Sequence, residues 1–137
     1  MLLISQLLVS ALFGSMVFFS FVMAPLIFTQ LEEATAGRFI RAVFPWYYLV
    51  LLSLSLLAGI AVIAAAPLES GVLLGVASLA IYARQYLMPR VNHYRDRSLA
   101  GDEQAGRRFD QLHRVSVMIN GVQLIAVTLA ALMLLGQ

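Results

Sequence analysis

No charged residue occurs from Met1 to Leu31, from Ala42 to Leu68, or after Arg114, and between Ser70 and Met88 the only one is Arg84. Uninterrupted apolar runs of this length constrain a chain more than any motif does. About 20 apolar residues are what an α-helix needs to cross a bilayer. The residues are 61% hydrophobic and only 12% charged, against about 25% charged in an ordinary soluble domain. A water-soluble fold of 137 residues has too much surface to hide so much apolar area. Lipid removes the difficulty, provided that each segment satisfies its own backbone hydrogen bonds, as a helix does.

The expected architecture is all-α: one domain over residues 1–137, a four-helix transmembrane bundle with antiparallel neighbours. The spans are placed at about 2–28, 45–66, 70–88 and 115–135, with polar loops at 32–44 and 90–113. Pro67 and Glu69 break the second span from the third through a short connection. Phe39, Ile40, Val43 and Phe44 recur at helical spacing opposite Arg38 and Arg41. They predict a short amphipathic interfacial helix between the first two spans, or an extension of the second. Gly101 and Asp102 mark a break and a helix start, so the fourth helix is expected to begin outside the membrane. Phe44, Trp46, Tyr47 and Tyr48 suit the headgroup level.

All nine basic residues are arginines, and all lie between Arg38 and Arg114. Four spans place both termini on one side and both arginine-bearing loops on the other. Positive residues favour the cytoplasm, so the termini are expected outside, periplasmic or extracellular. The uncharged N-terminus reads as a retained helix rather than a cleaved leader. Nucleic acid is not an expected partner, because Asp96, Asp102, Glu103 and Asp110 are interleaved with the basic residues. The absence of cysteine rules out disulfides and thiolate chemistry.

Polar residues inside spans are the candidate site. His113, Ser116, Asn120 and Gln123 share one sector of the fourth helix over roughly 15 Å. They serve either as interhelical hydrogen-bonding groups or as the wall of a cytoplasm-facing cavity. Arg84 and Gln85 of the third span and the Tyr47 and Tyr48 hydroxyls of the second are their expected neighbours, although Arg84 also reads as a residue that snorkels to the headgroups. Pro25 and Pro89 each free a carbonyl one turn earlier. Gly71-x-x-x-Gly75, Ser55/Gly59 and Ala126/Ala130 are small-residue pairs suited to helix packing. His93 and His113 are candidate ligands for haem or a transition metal, an alternative set against surface histidines. No Asp or Glu is expected inside a span, and no nucleotide loop or hydrolase motif is present, so the chain does not read as an enzyme.

Phe18-Phe19-Ser20-Phe21 with Pro25, Val43-Phe44-Pro45-Trp46-Tyr47-Tyr48, Leu87-Met88-Pro89-Arg90, and Phe109, His113, Ser116 and Asn120 follow one another along nearly the whole chain. In that order they resemble the bacterial branch of the transmembrane protein 205-like family, domain of unknown function 4149. The resemblance implies four spans and signature positions at Pro25, Phe44, Pro45, Tyr47, Pro89, His113, Ser116 and Asn120. It also implies a bacterial inner-membrane protein without a defined reaction. The leading expectation is a non-enzymatic, transporter-like or scaffold bundle without a cofactor, partnered by lipid and by copies of itself or another membrane protein. The alternative is a haem- or metal-binding redox protein using His113 and possibly His93.

Overall fold

The computed structural model describes residues 2–136. They form four long helices: α1 (Leu2–Gln30), α2 (Glu33–Val62), α3 (Pro67–Leu99) and α4 (Glu103–Leu135), each apolar and long enough to cross a membrane. Each helix packs against two neighbours, in the cyclic order α1, α2, α3, α4. Leu12, Met16, Tyr48, Leu51, Leu73, Val127 and Leu134 fill the centre. Leu3, Leu7, Ile60, Ile125, Leu129 and Leu132 point outward and are exposed. A soluble monomer rarely carries so large an apolar surface; in lipid it costs nothing. The fold is a multi-pass membrane bundle.

The helices outrun the spans read from the sequence. Residues 32–44 and 90–113, expected as loops, are almost entirely helical. No separate interfacial helix forms: Phe39, Ile40, Val43 and Phe44 lie within α2, the expected alternative of an extended second span, with Pro45 accommodated inside that helix. Ion pairs join the extended ends of the two helices. Arg41 binds Asp96 at 2.6 Å and Glu33 binds Arg95 at 3.1 Å, tying the α2 extension to that of α3.

The α3–α4 hairpin turns on Gly101, whose φ of +95° favours glycine. Asp102 N–H donates to Arg97 O and Gly101 N–H to Ser98 O, closing α3 with a Schellman-type end. Asp102 then starts α4: its side chain accepts from Ala105 N–H at 3.0 Å and pairs with Arg97. The Ala105 amide first, and Arg97 after it, hold the Asp102 carboxyl below its ordinary value. A depressed carboxylate stabilises the fold above its unfolded pKa and ceases to do so as pH falls through the folded one. Amide protection at the start of α4, corrected for intrinsic exchange, is therefore expected to hold at neutral pH and to drop below about pH 4. Asp102→Ala is expected to lose it at neutral pH already; unchanged protection in that variant would contradict the cap.

Two helices are locally widened. Phe19–Met23 in α1 and Ala83–Leu87 in α3 are π-helical turns, with Ala24 N–H bonding to Phe19 O and Met88 N–H to Ala83 O, five residues back. Each ends two residues before a proline, Pro25 or Pro89, which has no N–H to give and crowds the preceding turn. The same offset of 64 residues relates Pro25 to Pro89, one π turn to the other, and the buried Ser5, Val9, Leu12, Met16 and Ile27 to the buried Glu69, Leu73, Val76, Ala80 and Val91. α1 and α3 run in the same direction and share this spacing of buried positions, π turn and proline.

Candidate functional site

The segment Pro45-Trp46-Tyr47-Tyr48 of α2 is where the other three helices place polar groups. Trp46 alone faces outward, 70% exposed; Tyr48 is fully buried, Tyr47 nearly so, and Phe44 half-buried. The expected headgroup belt is thus mostly an internal cluster. Phe19 stacks on Tyr47 at 4.4 Å between ring centroids, Phe44 stacks on Tyr48 at 5.7 Å, and Phe19 meets Phe44 edge-on.

Within this aromatic shell the polar atoms find one another. The Tyr47 hydroxyl donates to Asn120 Oδ1 at 3.2 Å, and Asn120 Nδ2 donates to the Tyr48 hydroxyl at 3.4 Å. Ser20, in the α1 π turn, also interacts with Tyr47, and Ser116 with Tyr48. Arg84, in the α3 π turn, donates from Nε to the Pro45 carbonyl at 3.2 Å. Both widened turns therefore aim a polar side chain at α2. Such turns recur at functional sites because they re-aim one residue without ending the helix.

The stripe on α4 divides. Ser116 and Gln123 are buried and Asn120 is half-buried, as their shared sector requires. His113 is exposed and stacks on Phe109. It lies 60° from Ser116 around the helix, at a level where only α3 covers α4. Gln85 is likewise exposed and takes no part in the cluster. Gln123 Nε2 donates to Val76 O at 3.1 Å, while its Oε1, fully enclosed, has no partner among the described residues. His93 is exposed beside Tyr94. No three His, Asp or Glu side chains gather as metal ligands among the described residues.

Several residues escaped the sequence reading. Ser20 of α1 interacts with Tyr47 and belongs to the cluster, and the 64-residue proline spacing was the available signal. Glu69, expected in a turn, lies in the first turn of α3 and is only 6% exposed. At that end Ser5 bonds to Ala58 O, Ser70 to Gly59 O and Gln6 to Leu134 O. Of the small-residue pairs, Ser55, Gly59 and Ala130 pack inside, whereas Gly71 and Gly75 face open space.

A neutral site of hydroxyls and an amide, with one guanidinium nearby, can bind or pass a polar group; it holds no acid–base pair. Fold and site together define a four-span membrane bundle with a hydrogen-bonding centre beside two parallel helices that each carry a π turn. The chain belongs to the family of domain of unknown function DUF4149, which matches residues 7–99, more than half of its length. No curated protein and no solved structure matches it.

Proposed function

We propose that this chain is a non-enzymatic, transporter-like protein of the bacterial inner membrane, working as a homo-oligomer, with both termini periplasmic and the arginine-rich hairpin in the cytoplasm. One observation supports the reading: two parallel helices carry π turns at equivalent positions, and each turn aims a polar side chain at the Pro45–Tyr48 segment of α2. Repeats with discontinuous helices around a polar site are how many transporters alternate access. The distribution of arginine sets the orientation. On this reading the tightly packed Tyr48 belongs to a closed state, and bending at the π turns would open the cluster toward the arginine side. A bundle of four helices encloses little space of its own, which favours a pathway shared between copies.

The chain has no cysteine, so single thiols report access directly. In sealed inverted vesicles, Gly101→Cys is expected to react at once with a membrane-impermeant maleimide. Ser116→Cys, buried here, is expected to react more slowly from that same side and not from the other. Complete protection of Ser116→Cys from both sides, beside a reactive Gly101→Cys, would leave the cluster a structural element and overturn the transport reading. Reaction of Gly101→Cys only in vesicles of the opposite orientation would overturn the topology.

A further inference from the structure

The arginine-bearing hairpin sorts its charges by face. On the side toward α2, carboxylates are paired: Asp96 with Arg41 and Glu33 with Arg95. On the outer side, Arg90 and Arg108 have no carboxylate partner among the described residues, and Asp102 is engaged by Arg97 while capping α4. Between the two helices lies a hollow of about 220 Å³ lined by Tyr94, Arg97, Gln104, Ala105 and Arg108. The hairpin is in register there: Arg95 lies over the Phe109 ring at 5.1 Å, and a side chain at Gly106 would meet Ser98 Oγ at 3.1 Å. Arg108 is therefore level with residue 96 and extends toward Gln111, whose Oε1 is 3.5 Å away.

The same face continues into the membrane. Tyr82, Tyr86, Arg90, Tyr94 and Arg97 follow at spacings of four, four, four and three, one stripe of α3. Tyr82 and Tyr86 are exposed and stack on each other at 6.1 Å. The apolar part of α3 ends at Met88, so Arg90 stands at headgroup level and the hollow begins roughly 6 Å above it along the helix. Long arginine side chains reach back over that distance. Aromatic rings below, guanidinium groups above and donor amides beside them match one ligand: a phospholipid whose chains lie along the tyrosines and whose phosphate sits under the arginines.

We infer that this outer face of the α3–α4 hairpin binds the headgroup of an anionic phospholipid in the leaflet on the arginine side. Net negative charge on the lipid matters because two guanidinium groups there lack a counter-charge. The inference is independent of any transport activity.

The test is native mass spectrometry of the detergent-solubilised full chain titrated with phosphatidylglycerol or phosphatidylcholine. Phosphatidylglycerol is expected to bind about ten-fold more tightly than phosphatidylcholine. Arg90→Gln with Arg108→Gln should lose most of that preference. Arg38→Gln with Arg114→Gln removes the same charge away from this face and should keep it. Equal affinity for both lipids, or equal losses in the two double variants, would overturn the site. Inorganic phosphate at millimolar concentration should not displace the lipid; full displacement would make it a site for soluble phosphate and overturn the lipid assignment.

Discussion

Gly59→Leu is expected to destabilise the isolated monomer by about 3 kcal/mol, the upper end of what overpacking costs, while Gly71→Leu and Gly75→Leu change it by no more than about 0.5 kcal/mol. The three glycines differ in what surrounds them. A Cβ at Gly59 would lie 3.2 Å from Cγ and Cδ2 of Leu74 and 3.4 Å from Cβ of Leu73, whereas nothing lies within 4 Å of a Cβ at Gly71 or Gly75. Leucine adds three further carbons into the α2–α3 seam, which a short connection holds closed. Spreading the seam also draws the Gly59 carbonyl away from Ser70 Oγ, now 2.9 Å distant. Gly59→Ala should be much milder, since only the flexible end of Leu74 must move. Thermal unfolding in dilute detergent ranks the variants. Equal losses for Gly59→Leu and Gly71→Leu would show that the seam is not where α2 and α3 are pressed together.

Which glycine packs inside was not readable from spacing. Gly71-x-x-x-Gly75 is the clearer motif, yet its face points away from the bundle, because the buried line of α3 runs through Leu73, Val76, Ala77 and Ala80. Spacing identifies a face; only the partner helix decides whether that face is covered. The same limit applies to His113. It shares a broad sector with Ser116, Asn120 and Gln123, but α4 there has left the bundle and touches α3 alone. The four spans were legible because uncharged runs and clustered arginines are local properties that lipid reads directly. The helical ends beyond the membrane were not; they are joined by Arg41–Asp96 and Glu33–Arg95, pairs between segments far apart in sequence. For Tyr47 and Tyr48, a rule about aromatic residues at interfaces gave the right depth. It could not say that α2 turns Trp46 outward and both tyrosines inward. The π turns follow from Pro25 and Pro89 together with packing, and periodicity alone contains only the prolines.

Tyr48→Ala is expected to cost about 3–5 kcal/mol, the range for emptying a buried aromatic site. Its ring is fully enclosed and touches Phe44 and Tyr47. Tyr48→Phe separates the ring from the hydroxyl: it leaves the packing in place and removes the acceptor of Asn120 Nδ2, a loss of about 1 kcal/mol. Asn120→Leu takes the partner from two hydroxyls at once, but Ser20 and Ser116 remain to receive them, so its cost should stay near 1–2 kcal/mol. Gln123→Met is the useful contrast. It deletes an enclosed oxygen that has no partner among the described residues and fills the space with an apolar chain of similar length, so it should be neutral or slightly stabilising. If the cluster only glues helices together, the thermal stabilities of these variants should account for all their behaviour. If it is the polar centre of a transporter, Tyr48→Phe and Asn120→Leu should remain folded yet change how fast a thiol at position 116 reacts with the impermeant maleimide, by ten-fold or more in either direction. Gln123→Met should leave that rate alone. A rate at position 116 that follows thermal stability across all four variants would remove the distinction between glue and gate and, with it, the functional claim for the cluster.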